Sequence, residues 1–180
     1  RLQEAQEILA GLLQEDPTLA EAHFELGLTL AQGGDLGAAL PPLQEAVRLS
    51  PENSRFLEAL ARVQEEAGRL AEALSTVQRW VESDPGNPLA HERLAGLFAR
   101  QKEFRLALRE IRTAARLKPD EVRYLRQAAA LCRQLQWFEE AHEALRSALE
   151  RAPNDAANHV ELGLLLQEQG KVEEALRHYE

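Results

Sequence analysis

Residues 20–51, AEAHFELGLTLAQGGDLGAALPPLQEAVRLSP, decide the fold, because most of the chain is this stretch repeated end to end. Prolines stand at Pro17, Pro51, Pro85, Pro119 and Pro153, each 34 residues after the last. Alanines keep the same interval at Ala5, Ala39, Ala73, Ala107, Ala141 and Ala175. Two ladders that share one period mark a repeat architecture, in which each unit buries its apolar face against its neighbours.

Inside the stretch the apolar residues recur at helical spacing, in two runs parted by Gly33-Gly34-Asp35. Counting Ala20 as position 1, His23, Leu26, Gly27 and Leu30 fall at positions 4, 7, 8 and 11, one stripe of a first helix. Leu36, Ala39, Leu40, Leu43 and Ala46 form the stripe of a second. Proline at position 32 stops that second helix, since it lacks an N–H and its ring collides with the preceding turn. Gly27 and Ala39 are small where two helix backbones must approach closely.

These residues carry a family likeness. Leu26-Gly27, Ala39 and Pro51, repeated as Leu162-Gly163 and Ala175, resemble the pattern of the tetratricopeptide repeat (TPR). The resemblance covers the whole chain. It departs from the pattern in placing His often at position 4, and Ala61, Ala95 and Ala129 at position 8. It implies an all-α fold, a right-handed α-superhelix or solenoid of stacked helix-turn-helix TPR units. It also implies a groove that receives partner peptides.

The repeat divides the chain as follows. Residues 1–19 are the second helix of a truncated repeat, 20–53, 54–87, 88–121 and 122–155 are full repeats, and 156–180 is a partial one. Together residues 1–180 read as one TPR domain. Neither end carries a polar capping helix, so the chain is expected to be a fragment of a longer protein, with end-to-end self-association as the other way to cover its ends. Pro41-Pro42 is expected to bend or delay the second helix of its repeat. Lys102 replaces glycine in a turn and is expected to change that turn's conformation. Asn87-Pro88 is a helix start, a capping side chain followed by proline at the first helical position.

Composition narrows the function classes. A net charge of −9 and pI ≈ 5.2 argue against a general nucleic-acid or anionic-membrane binder. No apolar run approaches the roughly 20 residues that cross a bilayer. The single Cys132 excludes an intrachain disulfide. The sequence is compatible with a cytoplasmic or a periplasmic location alike.

Catalytic and metal motifs are absent: no phosphate loop, HExxH, CxxC or GxSxG occurs. His23, His91 and His159 share position 4 but lie two repeats apart, too far to converge on one ion at about 2 Å. They read as packing or half-exposed residues at helix starts. Cys132, Trp80 and the Trp137-Phe138 pair read as packing. The chain is therefore expected to be a non-enzyme without cofactors.

One surface invites a ligand. Positions 2, 5, 9 and 12 of each first helix lie opposite its core stripe, and in the TPR family this outer stripe lines the concave groove. It carries Arg123, Arg126 and Arg133 in one repeat and Arg55 and Arg62 in another, with Arg93 and Arg100 flanking it between them. Towards the ends it turns apolar, with Phe24 and Leu28 at one and Val160 and Leu164 at the other. A cationic middle between apolar ends suits an acidic or amphipathic peptide or partner helix. The competing reading is that Glu58, Glu65, Glu66 and Glu92 neutralise the arginines across neighbouring helices, with no ligand required. The family's carboxylate clamp for chaperone C-termini is not matched: Phe24, Leu28, Ala59, Leu89 and Arg93 occupy its places in one frame. The function expected is a protein–protein interaction scaffold that grips a peptide or helix in its groove. The alternative is a non-catalytic TPR arm of a larger enzyme or of an envelope assembly or secretion protein.

Overall fold

The helices start at strict 34-residue intervals. The computed structural model describes residues 2–179. Its second-helix series is α1 (Leu2–Glu15), α3 (Leu36–Leu49), α5 (Leu70–Ser83), α7 (Phe104–Leu117), α9 (Phe138–Arg151) and α11 (Val172–Tyr179). Between them stand the first helices, α2 (Ala20–Gln32), α4 (Ser54–Glu66), α6 (Pro88–Arg100), α8 (Val122–Gln134) and α10 (Ala156–Glu168). Among the described residues there is no strand, so the expected all-α class of helix-turn-helix units is what forms. The chain divides into two compact units, Arg1–Gly86 and Asn87–Glu180.

Local chemistry sets the helix ends. Asp35, Asn53, Asn87 and Asp155 each accept a hydrogen bond from a backbone N–H of the helix they precede, at 2.9–3.1 Å. This satisfies donors that a helix N-terminus otherwise leaves orphaned. Pro88 occupies the first turn of α6, as expected from the sequence. Within each repeat the first helix ends in a residue of positive φ: Gly34 at 86°, Gly68 at 74° and Gly170 at 78°. There the N–H groups of Gly34 and Asp35 close on the carbonyls of Ala31 and Leu30.

The expectation at Lys102 fails, and so does the expected delay at Pro41-Pro42. Lys102 keeps the glycine turn, with φ 63°, and Gln136 does the same at 61°. The N–H groups of Lys102 and Glu103 reach the Ala99 and Phe98 carbonyls at 3.0 and 2.9 Å. The fixed offset between the two helices of a repeat demands this geometry, so the side chain is forced into the left-handed region. Nor is α3 delayed by Pro41-Pro42, since it begins at Leu36 in register with its counterparts. The Asp35 cap fixes its first turn, and exposed Pro41 lies on its solvent side.

In the first unit the core is built on Leu40, Leu43, Leu57, Val77 and Trp80, all essentially without solvent contact. Ala39 and Ala73, on the alanine ladder, are wholly buried. A Cβ added to Gly27 would stand 2.5 Å from Leu43 Cγ and 3.1 Å from the Ala39 carbonyl oxygen. The close approach assigned to Gly27 and Ala39 is therefore real. At the start of this unit α1 has no buried residue, and Ile8 is 60% exposed.

In the second unit Ile111, Tyr124, Leu145 and Leu165 fill the core against the alanines Ala107, Ala141 and Ala148. Cys132 is buried among them, and burial pushes its thiol pKa up. At the end of this unit α11 buries only Ala175, leaving Val172 and Leu176 more than half exposed.

Candidate partner-binding surface

The first helices project the candidate residues. In the first unit the structure removes one of them from the surface. Phe24 is only 2% exposed, its ring stacked on Phe56 at 4.7 Å with the Arg55 guanidinium over it at 4.3 Å. The apolar contact assigned to Phe24 is thus used inside the protein, because position 5 of α2 faces α4 closely enough for the rings to meet. Leu28 remains half-buried at the surface. Arg55 binds Glu21 and Glu25 of the preceding first helix, the latter at 2.7 Å, and Arg62 lies 3.7 Å from Glu66 one turn on.

In the second unit the arginines are likewise engaged. Arg123 Nη2 is 2.9 Å from Glu92, its Nε 3.0 Å from Glu121, and it also donates to Tyr124 Oη at 3.2 Å. Burial works against the charge of Arg123, but Glu92, Tyr124 and Glu121 outweigh it and raise its pKa. Burial, then the Glu92 carboxylate, raises that of Tyr124. Arg126 donates to Asp155 at 2.9 Å and to Asn158 at 3.0 Å, and Arg133 pairs with Glu168 and Glu161. Arg93 is half-buried and Arg100 exposed. Val160 is 46% exposed and Leu164 half-buried. Carboxylates one repeat away therefore compensate much of the expected cationic middle. Most are Glu21, Glu25, Asp155, Glu161 and Glu168, which differ from the acids the sequence suggested; Glu92 acts across helices as expected, whereas Glu66 pairs with Arg62 within α4.

What lies between these pairs is a hollow. About 230 Å³ opens between α6 and α8 over Ala95, Gly96, Ala99, Ile111, Ala130 and Leu131. Glu92 and Gln127 line one end, joined at 3.2 Å. An apolar cavity of about 150 Å³ holds a benzene ring, so one large side chain fits. A Cβ on Gly96 would meet nothing within 4 Å. Packing therefore gives no reason for glycine here, although glycine inside a helix costs about 1 kcal/mol against alanine.

The histidines bear out their structural reading. Nε2 of His23 and of His159 lie 3.0 and 2.7 Å from the carbonyls of Pro17 and Pro153, six residues back, which ties each first helix to the preceding turn. Buried His91 holds Glu110 at 2.8 Å through Nδ1. Among the described residues no group of three or more His, Cys, Asp or Glu is placed to hold a metal ion. No helix among them is long and apolar enough to cross a membrane.

Sequence reasoning missed the arginines of α7. Arg105, Arg109, Arg112 and Arg116 are all exposed on a second helix, and their spacing of four, three and four was visible from the start.

Profiles of the tetratricopeptide repeat match residues 30–92 in one case, and residues 1–54 and 125–180 in another. The chain belongs to the TPR family. A TPR repeat-containing thioredoxin, TTL4 of Arabidopsis thaliana, is 33% identical over 92 residues, 51% of this chain and 14% of that protein. The human PEX5-related protein is 36% identical over 76 residues, 42% of this chain and 12% of that protein. The chain thus spans about an eighth of the length of these relatives. The crystal structure of YrrB, a TPR protein with an unusual peptide-binding site, superposes with a TM-score of 0.78 over 96% of this chain and 89% of that one, at 17% identity. That likeness supports the fold. TPR folds are typically non-catalytic scaffolds for protein–protein interaction.

Proposed function

We propose that the chain grips a peptide or partner helix along the outer stripe of α6, α8 and α10. The hollow beside Gly96 carries the reading: an apolar depression kept open by a glycine that packing does not need. An apolar side chain of the partner would fill it, while Glu92 and Gln127 at its edge offer hydrogen bonds to the partner's backbone. Because Arg123, Arg126 and Arg133 are already compensated by carboxylates, the partner at this surface is amphipathic and not simply acidic.

A second reading, a TPR arm serving a larger enzyme, draws on the thioredoxin relative, in which the matched repeats make up 14% of the protein. The two are compatible, since an arm of that kind also acts by binding.

Photo-crosslinking tests the surface. A photoreactive residue at Gln127 is expected to cross-link a partner in the native cell, and one at Arg146 on α9 is not. Cross-links from Arg146 alone would overturn the assignment.

A further inference from the structure

Positive charge is also concentrated elsewhere, on α7. Arg105, Arg109, Arg112 and Arg116 lie along one stripe of this helix, spanning about 16 Å at 1.5 Å per residue. Together with Trp137 they line an open groove of about 420 Å³ floored by Leu108. Arg105 sits over the Trp137 ring at 5.6 Å. Arg109 is tied at 2.8 Å to Glu110, whose other oxygen is taken by His91. Among the described residues, Arg105, Arg112 and Arg116 make no ion pair with a carboxylate. The helix thus carries four arginines against one glutamate, in a chain whose net charge is −9.

We infer that this groove is a second interaction surface, which takes an acidic helical segment of a partner protein. Charge complementarity names the occupant. Carboxylates spaced four, three and four residues apart lie on one face of a helix, at the same rise as the arginines they would meet. Trp137 offers an apolar and cation-compatible shelf at one end. A nucleic acid fits less well, because a strongly anionic protein repels an extended polyanion beyond the few phosphates this stripe could neutralise. The inference is independent of the hollow between α6 and α8, since it involves the second helices.

The probe is a fluorescent helical peptide with glutamates at the four-three-four spacing in an alanine background, tested on the whole chain at low ionic strength. It is expected to bind with an affinity that falls as salt rises, while its glutamine counterpart binds far more weakly. Joint replacement R105Q, R112Q and R116Q, all at exposed positions, is expected to weaken binding about tenfold, three exposed pairs being lost. R126Q with R133Q, on the other surface, is expected to leave it unchanged. Absence of binding at low salt would overturn the inference, as would equal affinity of the triple variant. Tighter binding of an oligothymidylate than of the glutamate peptide would assign the stripe to nucleic acid instead.

Discussion

Two glycines at different first helices, Gly27 on α2 and Gly96 on α6, have opposite reasons to exist. At Gly27 the missing Cβ makes room for Leu43, which is fully buried and cannot retreat. Gly27→Ala should therefore cost about 1–3 kcal/mol by overpacking. At Gly96 the space is open, so Gly96→Ala should stabilise the fold by about 0.5–1 kcal/mol through helix propensity. Denaturant unfolding of both variants checks the pair, and equal shifts would show that the hollow is not what the geometry says. A histidine pair makes the end of the second unit sensitive to pH. His159 Nε2 donates to the Pro153 carbonyl, so its Nδ1 is the acceptor for His178 Nδ1–H at 3.1 Å. Burial and the neighbouring His159 lower the His178 pKa, against the pull of Glu174. The folded form thus binds fewer protons than the unfolded one. Its contribution to stability is fully present above the ordinary histidine value of about 6.5 and is lost as pH falls from there through the lowered folded value. Amide exchange in α11, corrected for intrinsic rates, should show weaker protection at pH about 5 than at about 7.5. Equal protection would contradict the assignment.

At the scale of the element, the turn matters more than the residue in it. Lys102 and Gln136 hold a left-handed backbone that favours glycine, because a repeat with a different turn would leave the register of its neighbours. Lys102→Gly should accordingly stabilise the chain by about 0.5–1 kcal/mol, measured by thermal unfolding, and a loss of stability would mean that the lysine side chain contributes more than its backbone costs. Register also governs how much of the fold can be read from the sequence. Helix starts, stops and the alanine ladder were legible because each repeats at a fixed interval, and five copies average out local irregularity. The conformation at Lys102 and the undelayed start of α3 were not legible, since local propensity argues one way and the stacking register the other. Ala141, wholly buried on the ladder, gives a further test. Ala141→Leu should destabilise by about 1–3 kcal/mol, and an unchanged melting temperature would place the helix contact elsewhere.

At the scale of the whole molecule, charge could be counted from the sequence but not paired. The outer-stripe arginines looked like a cationic surface because their partners, such as Asp155 for Arg126 and Glu168 for Arg133, stand about 30 residues away in the chain. Phe24 looked exposed for the same reason, its stacking partner Phe56 lying 32 residues on. The hollow was still less visible, since it depends on Gly96 and Ala130 coming side by side from different repeats. That hollow is the proposed place where a partner is held. It is tested most directly by mapping amide chemical shifts of the chain on addition of a verified partner, with Gly96→Leu as the blocked control. The expected shifts centre on Gly96, Ala99 and Ala130 and vanish in the control while the helical fold persists. Shifts confined to α7 and α9, unchanged by Gly96→Leu, would contradict it.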